Sequence, residues 1–198
     1  MKAKSLLFRF LRRSLATVII IVLLLLGGDY ALKKVATYLY PQKCSEYIEK
    51  YSSEYKVDKN LCYAMIKCES NFKPDAVSSA GAMGLMQMTD DTFRFITSKL
   101  YDYEVDESYI YDPETNIKCG VWYLSYLNDK FYSENEVIAA YNAGPNKVLD
   151  WLKDENYSSD GKTLESLPYN ETENHIKRVL RAKDIYKKLY ESNLEGEF

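Results

Sequence analysis

Beyond about residue 42, apolar positions recur at spacings of three and four, the period of a helix buried on one face, and signals of strand alternation are few. On 59–70, Cys62, Met65, Ile66 and Glu69 share one face of a helix, with Asn60, Tyr63 and Lys67 on the opposite side. Asp58 is placed to cap its start. Lys73-Pro74-Asp75 breaks it, and a Ser-, Gly- and Ala-rich loop leads to a tight turn at Gly84-Leu85-Met86-Gln87. Cys44 to Tyr55 precedes it as another helix. Thr89 is placed to cap a helix reaching about Lys99, followed by a tyrosine-rich connector (Tyr101, Tyr103, Tyr109, Tyr111).

Asp112-Pro113 pairs a cap residue with proline in the first helical position, which predicts a helix to about Lys130. Ser133 and Glu136 stand at capping-box spacing. The helix they open ends at Gly144, suited to a left-handed cap. Pro145 starts another through Trp151 and Leu152, Asn156 to Gly161 reads as a polar loop, and a last helix runs from Glu171 to about Tyr190. The expectation is an all-α domain over 42–191, with a C-terminal tail at 192–198.

The N-terminus differs in kind. Lys2, Lys4, Arg9, Arg12 and Arg13 precede fifteen uncharged residues, Ser14 to Gly28, rich in Val, Ile and Leu. Extended to Leu32 the stretch is about as long as a membrane-crossing helix, and no small-residue cleavage site follows Gly28. The reading is a basic cytoplasmic segment (1–13), a signal-anchor transmembrane helix (14–32) and a linker (33–41). The charge excess ahead of the span leaves the body extracytoplasmic, on a single-pass anchor in the cell membrane. Removing those five charges from the 26 Lys and Arg leaves 21 against 29 Asp and Glu, an acidic body that argues against a nucleic-acid partner.

Four cysteines (Cys44, Cys62, Cys68, Cys119) occupy slots suited to small apolar side chains, and Cys62 and Cys68 on one helix stand too far apart to bridge. They read as buried thiols rather than a disulfide framework. With His175 the one histidine and no metal-ligand spacing, no metal and no cofactor is expected.

Glu69 is the candidate for chemistry because it points where the apolar residues point. Burial and the negative end of the helix dipole both favour a protonated carboxyl, as a general acid needs. On the helix alone it could equally be a surface or capping glutamate. Gln87, after glycines that permit a tight turn, offers an amide donor and acceptor suited to acetamido and hydroxyl groups. Such a turn alone is more often loop packing. Tyr141 and Asn142, at a helix end, offer a ring face and polar atoms to a cleft, although one tyrosine among nineteen is more often packing.

Taken together, Lys67-Cys68-Glu69-Ser70-Asn71-Phe72, Ala76-Val77-Ser78 and Gly81-Ala82-Met83-Gly84-Leu85-Met86-Gln87 resemble the catalytic domain of soluble-type lytic transglycosylases. Asp112-Pro113-Glu114-Thr115-Asn116-Ile117, Ala139-Ala140-Tyr141-Asn142-Ala143-Gly144-Pro145 and Leu167-Pro168-Tyr169-Asn170-Glu171-Thr172 follow that family's later motifs in order. The resemblance implies a lysozyme-like, goose-type helical fold and peptidoglycan glycan strands as substrate, cut at the MurNAc-β-1,4-GlcNAc bond. It implies Glu69 as the sole acid and then base, leaving a 1,6-anhydroMurNAc end with help from the substrate's own acetamido group, outside the two-carboxylate scheme. By the same resemblance Ser78, Gln87, Tyr141, Asn142 and Glu171 contact or support substrate. Met88-Thr89-Asp90 departs from the family's usual Ile-Met-Pro, and Cys68 and Cys119 replace larger residues. A hydrolytic muramidase, which would want a second carboxylate such as Asp75, and an inactive wall-binding scaffold are the alternatives. A Cys–His nucleophile using His175 lacks a recognisable cysteine.

Overall fold

The computed structural model describes residues 27–191. The chain divides into two units, 1–41 and 42–198. In the first, residues 27–39 are helical (α1), with Tyr30, Leu32, Val35, Tyr38 and Leu39 exposed. No helix among the described residues is long and apolar enough to cross a membrane. The expected span at 14–32 lies, apart from 27–32, outside the described residues.

The second unit is predominantly helical: α2 (Ser45–Glu54), α3 (Lys59–Glu69), α4 (Asp90–Leu100), a 3-10 turn (Glu107–Tyr111), α5 (Pro113–Asn128), α6 (Glu134–Ala143), α7 (Pro145–Lys153) and α8 (Asn170–Tyr190). Its extended pairing, among the described residues, consists of isolated bridges, Val77 with Met83 and Met83 with Met88. The expected starts have physical causes. Asp58 Oδ1 accepts from the Asn60 N–H (2.8 Å), Thr89 Oγ1 from the Thr92 N–H (3.3 Å) and Asp112 Oδ2 from the Thr115 N–H (2.9 Å). Each satisfies a donor that the first helical turn leaves without an internal partner.

Helix α3 is the centre of the unit, packed against α2 and, most extensively, α8. This corrects the two-faced reading of its sequence. Asn60, Leu61, Cys62, Tyr63, Ala64, Met65 and Ile66 are all buried, so the first two turns have no wet side. Tyr63 stacks on Tyr186 of α8 at 5.2 Å, and Asn60 Nδ2 donates to Glu191 Oε1 at 2.8 Å. Asn60 and the Tyr63 ring on the second face thus pack against the C-terminal part of the chain rather than facing solvent.

The Asp58 cap also reaches α8. Lys183 Nζ lies 3.0 Å from Asp58 Oδ2 and 2.6 Å from Glu134 Oε1, tying the starts of α3 and α6 to one side chain. Burial pushes the Asp58 carboxyl up, but the Asn60 N–H and the Lys183 ammonium outweigh it and hold the group below its ordinary value. Asp58→Ala is expected to cost about 1–2 kcal/mol at pH 7, the range of a lost N-cap. Because the folded-state value is depressed, that stabilisation is present above the ordinary carboxylate range and fades as pH falls through the folded value. Urea curves of wild type and variant should therefore draw together as pH falls below the ordinary carboxylate range.

Two end signals act differently from their expected roles. Ser133 makes no side-chain cap; its hydroxyl donates to the Glu136 carboxylate instead. Glu136 is buried and its other oxygen accepts the Leu164 N–H at 2.9 Å, pinning the long loop after α7. At Gly144, φ is +94° with ψ 141°, which is not the left-handed helical cap but a region open essentially to glycine. One residue thereby ends α6 and redirects the chain into Pro145 of α7. The tyrosine-rich connector also holds more order than expected, as the 3-10 turn started by Asp106.

Candidate active site

Glu69 is the last residue of α3, and the chain leaves it through two successive non-glycine residues with positive φ, Asn71 (+52°) and Phe72 (+61°). Phe72 is held there by burial against Tyr63. The Glu69 side chain, 15% exposed, lines a cavity of about 820 Å3. Ser78, Gln87, Tyr141, Asn142 and Glu171 line the same cavity. Asn142 and Glu171 are exposed, the others half-buried.

The wall opposite α3 is the loop 76–88, and it is fixed by backbone bonds. Gly84 N–H donates to Ala76 O at 2.9 Å, and Met83 and Met88 exchange bonds of 2.8 and 3.1 Å. Met86 is gripped from both sides. Its N–H donates to Asn116 Oδ1 on α5 (2.8 Å), while its carbonyl accepts from the Tyr141 hydroxyl on α6 (2.8 Å). The Asn116 amide also donates to Ile110 O at 2.6 Å, and Asn116 is fully buried. Gly84, with φ +79°, admits no side chain, because a Cβ there would fall on the Asn116 amide and 2.6 Å from Ile110 O. The Met86 side chain occupies the space above Gly120, where a Cβ would meet Met86 Cε at 2.8 Å. The turn therefore has its shape because α5 and α6 were cut to receive it.

These commitments refine two expected roles. Gln87, itself at φ +49°, donates its amide to Ala76 O and Gly84 O, both at 3.0 Å. Its Oε1 is left as the group to offer a ligand, an acceptor rather than the expected donor and acceptor. The Tyr141 hydroxyl proton goes to Met86, and its ring meets Tyr123 at 5.5 Å. Burial, with the Glu69 charge nearby, pushes the phenol well above its ordinary value, so it stays protonated. Ser78 Oγ accepts the Ala82 N–H at 3.0 Å and keeps its own proton to donate.

The structure adds one residue to the site that sequence reasoning set aside. His175, on α8, is nearly buried, and its Nε2 lies 3.3 Å from Glu69 Oε1. A histidine 106 positions away in sequence leaves no local signal of this contact; the helical period puts it on the buried face of α8, and no more. Cys68 lines the cavity too, so a cysteine does stand in the same site as His175. Burial pushes that thiol up to about 11, which keeps it un-ionised and a poor nucleophile. The expected burial of the four cysteines holds for Cys62 and Cys119; Cys44 and Cys68 are half-buried. Asp75 is exposed and does not line the cavity.

A family model described as the Transglycosylase SLT domain matches residues 46–164. The chain belongs to that family. Over 152 residues this SLT domain is 34% identical to the soluble lytic murein transglycosylase of Escherichia coli, a match covering 74% of this chain and 23% of the relative. It is 28% identical over 161 residues to the membrane-bound lytic murein transglycosylase C of Actinobacillus pleuropneumoniae, covering 70% of this chain and 44% of the relative. An inactive glutamate-to-glutamine mutant of the lytic transglycosylase Slt from Pseudomonas aeruginosa superposes with TM-score 0.66 at 28% identity, over 75% of this chain and 24% of that one. The chain thus spans less than half the length of these relatives, and the shared part is the SLT domain with its lysozyme-like helical fold.

Proposed function

We propose that this SLT domain is a peptidoglycan lytic transglycosylase, cleaving the MurNAc-β-1,4-GlcNAc bond and leaving a 1,6-anhydroMurNAc end. The observation that carries the reading is Glu69, shielded on the wall of a cavity that Ser78, Gln87 and Tyr141 also line. The relatives' names give the substrate class, and a glutamate-to-glutamine change accompanies inactivity in the Pseudomonas enzyme.

The chemistry follows from the groups present. Glu69 gives its proton to the glycosidic oxygen as the bond to C1 breaks. The 2-acetamido oxygen of the substrate closes on C1, which spares the protein a nucleophile. Glu69, now a carboxylate, takes the C6 hydroxyl proton while O6 attacks C1 and expels the acetamido oxygen. The carboxyl is thereby regenerated without water. Gln87 Oε1 and the Ser78 hydroxyl offer an acceptor and a donor for the substrate's amide and hydroxyl groups. The rings of Tyr141 and Tyr123 supply apolar faces to the pyranose. Asn142 and Glu171 complete the polar lining, and no cofactor or metal has a part in the scheme.

Mass analysis of products released from purified glycan strands tests this. Anhydro ends, one water lighter than hydrolytic products, are expected. Reducing ends would make the protein a muramidase with Glu171 as the second carboxylate on the wall, and binding without release would make it a scaffold. Anchoring through 14–32, with 42–191 as the catalytic domain outside the membrane, belongs to the same reading. Its support is the uncharged run behind five basic residues and the membrane-bound relative. Extraction of the full chain from membranes by detergent but not by alkaline carbonate checks it.

A further inference from the structure

His175 stands beside the acid with both ring nitrogens engaged or aimed, and those two contacts decide its proton. Its Nδ1 lies 3.4 Å from Arg178 Nη2. A guanidinium has only donors, so Nδ1 must accept, and the ring proton sits on Nε2. Nε2 lies 3.3 Å from Glu69 Oε1, but off line, so it makes no hydrogen bond in this structure. A buried N–H without a partner is rare and costly. Glu69 Oε1 is the carboxyl oxygen placed beside it, and catalytic hydrogen bonds often align only once substrate is in place.

Resting on the transglycosylase reading, we propose that His175 is a positioning residue for Glu69: its Nε2–H engages Oε1 and thereby assigns the acidic proton to Oε2, the oxygen left to face the glycosidic bond. The same donor then steadies the carboxylate formed when that proton leaves. His175 keeps its own proton throughout; only the Glu69 proton moves, out to the glycosidic oxygen and back from the C6 hydroxyl.

The other titratable and charged groups around the pair do not compete for this role. Cys68 on α3 and Tyr141 on α6 are held protonated by burial. Arg178 is permanently charged, and Glu171 of α8 and Lys147 of α7 stand elsewhere on the cavity wall, both exposed.

His175 is the one histidine of the chain, so its tautomer can be read directly by nitrogen NMR on the wild-type protein. A neutral ring protonated on Nε2 at pH 7 is expected; a ring protonated on Nδ1, or an imidazolium, would overturn the proposal. Kinetics give the second reading. His175→Phe keeps the ring volume and removes the donor, and should lower kcat about 10- to 100-fold with KM within about two-fold. The upper limb of its pH–kcat profile should move to higher pH, since the carboxylate in the substrate complex has lost a donor. His175→Gln, whose amide nitrogen reaches the place of Nε2, should recover most of the rate. A His175→Phe enzyme matching wild type in kcat and pH profile, or a folded His175→Gln enzyme as slow as His175→Phe, would overturn it. If wild type yields no anhydro ends, the transglycosylase reading has failed instead.

Discussion

Glutamine at position 69 is expected to reduce release of anhydro-ended products by about a thousand-fold or more, with glycan binding retained. A positioned general acid contributes roughly 10²–10⁴-fold, and in the proposed scheme the same group also serves as the base of the second step. The substitution nearly preserves volume and removes only the ionisable proton. The amide oxygen can still accept from His175, so the thermal midpoint should stay within about 2 °C of wild type. Single-turnover assays on glycan strands, beside a pull-down of the same strands, separate chemistry from binding. Cleavage at a tenth of the wild-type rate or better would assign the acid to another residue.

Asn116→Ala is expected to cost about 3–5 kcal/mol and to abolish activity even where the domain remains folded. The residue is fully buried and satisfies Met86 N–H and Ile110 O, two backbone groups with no route to water. Each stranded group costs about 1–3 kcal/mol, and the emptied volume adds to it. The effect on the site comes from geometry. Met86 would keep its bond to Tyr141 but lose its hold on α5, so Gln87, the next residue, would no longer be aimed. Urea denaturation should give the large loss of stability. In a variant still folded at low temperature, hydrogen exchange should show faster opening at 83–88 than in α3. A loss below about 1 kcal/mol would mean the turn is held by its own backbone bonds alone.

What the chain makes legible is what local chemistry governs. Asp58, Thr89 and Asp112-Pro113 start helices as their types require, because a cap is a bond over two or three residues. The inward placement of Glu69 is readable from spacing, because a helical face is a local property. The full burial of α3 is not, since it depends on α8 covering the side that carries Asn60 and Tyr63. The same long-range packing hid His175, whose partner lies on the other helix of that pair. Ser133 and Glu136 had the right spacing for mutual capping, but a buried carboxylate answers the strongest demand within reach, and Leu164 N–H supplied it. Gln87 shows the reverse: it lines the cavity as its position implies, but its own turn takes up its amide donors.

The turn beyond Glu69 bears on how this SLT domain could be toughened. Asn71 and Phe72 hold a backbone shape that costs most side chains about 1 kcal/mol each, with the Phe72 ring wedged into the interior. Glycine at 71 would relieve torsion yet give the unfolded chain more freedom, while glycine at 72 would also discard the wedge. A search for heat-resistant variants therefore has little to gain along this stretch, and the sturdier opportunities lie in exposed helical positions remote from the groove.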